Sequence, residues 1–169
     1  WYKYRLDRII SKRVESLGWQ DINVPQLLRE KYQENNLPTP KTVNDLLKEA
    51  WGCDFYKEAA LMVLRFDRTF AQSYLQGITI HNTFTAIDCD RAATLITQYT
   101  RNPEERSTLL EILHSRPTTD AYYQLYYRNT DYYPLRWLRA LGSKVEILLP
   151  WHLRQEMARE IQNTWNLYQ

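Results

Sequence analysis

The spacing of apolar positions changes character along the chain. Over Trp1–Leu6 aromatic residues alternate with Lys3 and Arg5, as in a strand with one wet face. Asp7–Leu17 carries Ile9, Ile10 and Val14 as a helical stretch would, and Gly18 ends it. Val24, Leu27, Leu28 and Tyr32 predict a helix over Pro25–Glu34, broken by Leu37-Pro38-Thr39-Pro40. The next helix is fully punctuated. Thr39 is its N-cap, Pro40 its first helical residue, Val43, Leu46, Leu47 and Ala50 its stripe, and Gly52 its left-handed cap.

From Ala59 the grammar shifts. Ala60–Phe66 is an apolar run of strand length, and Asp67 caps a helix over Arg68–Gln76 that Gly77 stops. Ile78–Phe84 alternates apolar and polar residues, which predicts a half-buried strand. Two helices follow, Asp90–Tyr99 and a second capped by Asn102 that runs from Pro103 to His114. Asp120–Tyr127 reads as a strand carrying Tyr122, Tyr123, Tyr126 and Tyr127. Pro134–Leu141 is a helix ended by Gly142, Lys144–Leu149 a strand, and Pro150 opens a last helix striped by Leu153, Met157, Ile161 and Trp165. Residues 59–149 therefore read β-α-β-(insert)-β-α-β. The expected fold class is α+β: a ferredoxin-like sandwich with a helical insertion at 88–115 and extra helices before and after it.

Composition narrows the function. The chain has 169 residues, 22 Lys+Arg against 20 Asp+Glu, 13 Tyr, 6 Trp and 4 Gly. Aromatic content this high excludes a disordered chain. No apolar run approaches the roughly 18 residues of a membrane helix, and no secretory leader pattern is present, so a cytoplasmic protein is expected. Cys53 and Cys89 have no zinc-type spacing and read as reduced thiols. Net charge is +2, yet residues 1–14 hold Lys3, Arg5, Arg8, Lys12 and Arg13 against Asp7 alone. The first residue is Trp1 and the pattern starts midway, so a longer parent protein is expected.

Two stretches carry a resemblance. Tyr4-Arg5-Leu6-Asp7-Arg8-Ile9 resembles the closing strand of WYL domains, and Pro134–Pro150 resembles the end of the WYL C-terminal extension, a Trp-Leu helix, Gly, a short strand and Pro. Leu153-Arg154 and Tyr168 fit the extension's closing helix, Val63-Leu64-Arg65-Phe66 is similar to its first strand, and His81 sits where that family often has a His. The aromatic-rich character is similar to that of cyanobacterial CRISPR-associated WYL proteins. The matching pieces cover about a third of the chain. Tyr2 departs from the Arg common in the family, and 88–115 is longer than the usual extension.

The resemblance implies a transcription regulator whose missing N-terminal winged helix binds DNA. Its Sm-like barrel would sense a nucleic acid or nucleotide, and its extension, itself ferredoxin-like, would support a homodimer. On that reading 1–18 is the end of the barrel, 19–58 a helical linker and 59–169 the extension. The implied role is ligand sensing without catalysis, with no cofactor and no membrane partner.

The residues allow this chemistry without requiring it. Arg5 and Arg8 suit phosphate, because a guanidinium fork bonds it bidentately; both also fit a solvated surface. Tyr122 and Tyr126 share one strand face, Tyr123 and Tyr127 the other. One row packs on helices, and the other is either an interface or a platform for bases, with Arg128 and Arg136 adding charge. The candidate ligand contacts are Arg5, Arg8, Arg65, His81, Tyr123 and Arg128. His81, His114 and His152 have no metal-type partner at i+3 or i+4, and Asp88-Cys89-Asp90 reads as a helix cap. The alternative is a ferredoxin-like endoribonuclease that processes CRISPR RNA with His81 as general base. Against it, the glycines are scattered at Gly18, Gly52, Gly77 and Gly142 rather than gathered in a loop.

Overall fold

The computed structural model describes residues 16–24, 26–52, 55 and 57–169. The expected strand Trp1–Leu6, Arg5, Arg8 and most of the stretch from Asp7 lie outside them. The chain divides into two compact units, residues 1–45 and 46–169.

The first unit holds α1 (Gln26–Gln33) and the start of α2 (Pro40–Glu49). Both helices fall where the apolar spacing places them. Asn35, at φ 52°, follows α1 in the left-handed region that Asn tolerates better than most residues. Thr39 Oγ1 accepts from the Thr42 amide at 3.1 Å, the expected N-cap of α2. The Trp19 ring stacks on Tyr32 at 4.4 Å.

The second unit is α+β. Its strands are β1 (Ala59–Phe66), β2 (Thr85–Ile87), β3 (Ala121–Arg128) and β4 (Val145–Leu149). They form one antiparallel sheet in the order β2-β3-β1-β4. α3 (Arg68–Tyr74) follows β1, α4 (Cys89–Tyr99) and α5 (Pro103–His114) fill the expected insertion, α6 (Tyr132–Leu141) precedes β4, and α7 (Trp151–Leu167) closes the unit. With α1 and α2 this makes seven α-helices among the described residues. Three expected caps are in place. Asp67 accepts from the Phe70 amide at 2.9 Å, Asp88 from Arg91 at 2.6 Å and Asn102 from Glu104 at 2.9 Å.

The two-residue period of the strands sends side chains to opposite faces, and helices cover both. On one face Met62, Leu64, Phe66, Leu125, Tyr127 and Ile147 meet Ala71 and Leu75 at α3, Leu138 of α6 and Leu153 of α7. On the other, Leu61, Val63 and Tyr122 meet Ala92, Leu95 and Ile96 of α4 with Leu109 and Leu113 of α5. The insertion is thus the second covering layer of the sheet. A bulge serves this packing: Val63 pairs with Leu149 and Leu64 with Ile147, so Leu148 is an extra residue. It lets the consecutive Leu148 and Leu149 both enter the α4–α5 core.

Three expectations are corrected. Residues 78–84 form no strand; the paired segment is Thr85–Ile87, three residues long. The alternation is real, because Ile80 and Phe84 pack on the α3–α6 core, but they do so from a turn closed by Phe84 N–H to the His81 carbonyl at 3.0 Å. Gly52 is not a left-handed cap, since among the described glycines positive φ belongs to Gly77 (77°) and Gly142 (55°). Space is what constrains Gly52: a Cβ there would lie 2.8 Å from Asp131 Oδ1 and 3.2 Å from Tyr133 Cδ2. Finally, the α7 stripe is core only over its first half, and Trp165 is 60% exposed.

Candidate functional site

His81 and Arg128 are brought to one end of β3, on either side of Trp51. The His81 ring stacks on the Trp51 indole at 4.4 Å. His81 Nδ1 accepts from the Thr83 amide at 3.2 Å and lies 2.9 Å from Thr83 Oγ1, while Nε2 lies 3.3 Å from the Ala50 carbonyl. This pattern fits a ring that carries its proton on Nε2. The Trp51 indole N–H donates to Thr83 Oγ1 and to the Tyr126 carbonyl, both at 3.1 Å, and the Thr83 hydroxyl donates to that carbonyl at 2.8 Å.

Asp131 closes the same knot from the other side. Its Oδ2 accepts the amides of Trp51 at 3.3 Å and Arg128 at 3.1 Å. That occupation explains why Asp131 precedes α6 without capping it by a side-chain bond. The buried Arg128 side chain donates from Nη1 to the Lys57 carbonyl at 3.0 Å and places Nη2 3.6 Å from Glu49.

Tyr123 joins this end through an aromatic wall. Its ring stacks on Phe84 at 4.4 Å and meets Phe66 edge-on at 5.5 Å, and Trp137 links Phe66, Phe84 and Trp51. Neither tyrosine row is an open platform, because both sheet faces are covered. Tyr122 and Tyr127 are buried, and burial pushes each hydroxyl up to about 12, for Tyr122 with a further rise from Cys89. Tyr126 is the row member that reaches solvent.

Arg65 lies apart, on the α4–α5 face near the opposite end of β1. Its Nε donates to Asp120 Oδ2 at 2.7 Å and its Nη1 to Glu146 Oε2 at 3.1 Å. Glu146 also takes a bidentate pair from Arg116, both bonds at 2.9 Å, and one bond from Arg154 at 2.9 Å. Burial raises the Glu146 carboxyl, but the hydrogen bonds from Arg116 and Arg154 outweigh it and hold it at about 2. Three arginines against two carboxylates leave this cluster with one net positive charge.

Neither a protein-family model nor a curated protein sequence matches this chain.

Four candidate contacts are therefore described, and they do not converge on one cleft. His81, Arg128 and Tyr123 belong to one connected structure, and Arg65 to a separate ion-pair cluster. Among the described residues no group of three His, Cys, Asp or Glu side chains is placed to hold a metal, and no helix is long and apolar enough to cross a membrane. Sequence reasoning missed Glu146, Asp120, Arg116 and Trp51. Alternation around Glu146 assigns it to the face opposite Val145 and Ile147, which reads as wet; α4 and α5, distant in sequence, are what bury that face.

Proposed function

We propose that the chain is the ligand-sensing and dimerisation part of a WYL-type transcription regulator, CRISPR-associated, that binds a nucleic acid or nucleotide and pairs with a second copy. The observation that carries the reading is the strand order β2-β3-β1-β4 with α3 and α6 on one face. Read from the other edge it is 4-1-3-2, the order of a ferredoxin-like sandwich, and that is the fold the resemblance implies for this segment. The four inserted turns of α4 and α5 cover the remaining face and leave that order intact. The hydrogen bonding of His81 favours sensing over RNA cleavage, because both ring nitrogens face protein groups within the knot.

Phosphate contact on this reading belongs to the basic segment around Arg5 and Arg8. Titrating the protein with a labelled single-stranded oligonucleotide at several salt concentrations tests it. Arg8→Ala weakens binding and flattens the salt dependence, since each lost phosphate contact lowers the counterion slope by about one. An isotherm unchanged at every salt concentration overturns the assignment. Incubation with labelled repeat RNA tests the enzyme alternative: cleavage that disappears in His81→Ala replaces the sensing reading with the endoribonuclease.

A further inference from the structure

The apolar stripe of α7 continues past the core. Leu153 is buried, whereas Ile161, Trp165 and Tyr168, on the same stripe, are 57%, 60% and 84% exposed. They form one side of a groove of about 490 Å³, whose other side is built by Leu138, Val145 and Ile147. The charges at this groove satisfy each other: Arg139 donates to Glu160 from both Nε and Nη2 and to Glu156 at 3.3 Å. The groove thus offers a charged ligand little to hold and an apolar one a continuous surface.

We propose that this groove is the face through which two copies of the chain pair, α7 crossing its counterpart about a two-fold axis. The proposal deepens the pairing half of the function proposed above. A two-fold contact needs a patch complementary to itself. Here a hollow and a projecting indole lie on one surface, so Trp165 of each copy can enter the groove of the other. Area decides between a stray exposed residue and an interface. A large aromatic side chain buries roughly 150–250 Å². At their exposures Ile161, Trp165 and Tyr168 therefore supply roughly 400–500 Å² per copy, taking each at about that size. With the groove walls and the exposed Leu167 at the rim, the patch reaches the roughly 600 Å² per partner at which specific interfaces begin. A contiguous apolar patch of that size marks an interaction site, where scattered residues would not.

Sedimentation velocity of the 169-residue chain at roughly 100 μM, far above a micromolar dissociation constant, tests this. The expected species has twice the chain mass of 20.4 kDa. Ile161→Asp combined with Trp165→Ser gives a species of the single-chain mass with an unchanged far-ultraviolet circular dichroism spectrum, because both side chains are exposed and a buried aspartate would oppose the contact. Tyr132→Ser, at an exposed aromatic off the stripe, leaves the doubled mass in place. A wild-type chain of single mass, or a double variant that still pairs, overturns the proposal. Oligonucleotide titration of the monomeric variant separates the two ideas: binding lost in wild type and variant alike is a failure of the ligand reading alone, and leaves the pairing result standing.

Discussion

Arg65 and Glu146 face each other across the β1–β4 pair, and their ion pair is the anchor of a five-residue charge cluster. Glu146 accepts from Arg65, Arg116 and Arg154, which come from β1, the segment after α5, and α7. One carboxylate thus ties the inserted helical pair and the last helix to the sheet.

Glu146→Gln is expected to destabilise the chain by about 3 kcal/mol, in the range for removing one partner of a buried ion pair. Chemical denaturation at neutral pH checks this. A companion expectation concerns acid. The Glu146 carboxyl ionises at about 2 in the fold against 4.5 when free, so the unfolded chain takes up its proton first as pH falls. The stabilisation is fully present above about pH 4.5 and is lost as pH drops towards 2. Glu146→Gln shows a correspondingly flatter stability profile across that window.

Gly52→Ala is expected to cost about 1–3 kcal/mol, because the new methyl meets Asp131 Oδ1 and the Tyr133 ring and the knot must open. Gly77→Ala meets nothing within 4 Å and costs only its left-handed backbone, about 1–2 kcal/mol. Thermal denaturation distinguishes the two through a structural readout. Gly52→Ala changes the near-ultraviolet signal of Trp51, and Gly77→Ala leaves it unchanged.

The local features of this fold were legible in the sequence because local chemistry determines them. Thr39, Asp67, Asp88 and Asn102 were readable as caps, and Pro40 and Pro103 as helix starts, because a cap needs only its own next three residues. The strand expected over 78–84 failed for the opposite reason. Alternation reports which side chains turn inward, and Ile80 and Phe84 do so; it does not report whether the backbone between them finds a partner strand. Gly52 was misread because a glycine required for space looks the same in sequence as one required for a positive φ, and Asp131 and Tyr133 lie about 80 positions away. The charge cluster was invisible for the same reason, since Arg65, Arg116, Glu146 and Arg154 share no local pattern. The α7 stripe was legible as an amphipathic face, but periodicity cannot say which part of the face meets the chain's own core.

Thr83→Val is expected to destabilise by about 1–2 kcal/mol. It removes the hydroxyl that donates to the Tyr126 carbonyl and accepts from the Trp51 indole, while keeping the shape of the side chain. Urea denaturation measures the cost. Trp51 keeps its bond to the Tyr126 carbonyl, so Thr83→Val combined with Trp51→Phe is expected to exceed the sum of the single changes, as that carbonyl then has neither side-chain donor.

The same two side chains also govern how the sheet meets other chains. β2 pairs with β3 only opposite Tyr122–Gln124, which leaves the far end of β3 bordering the loop rather than a strand. There the Trp51 indole and the Thr83 hydroxyl occupy the Tyr126 carbonyl, an acceptor that an incoming strand would otherwise use. A tyrosine-rich, β-prone strand is thereby closed to edge-to-edge growth by two side chains, so the chain guards itself against fibril-like stacking without spending a further strand on the task.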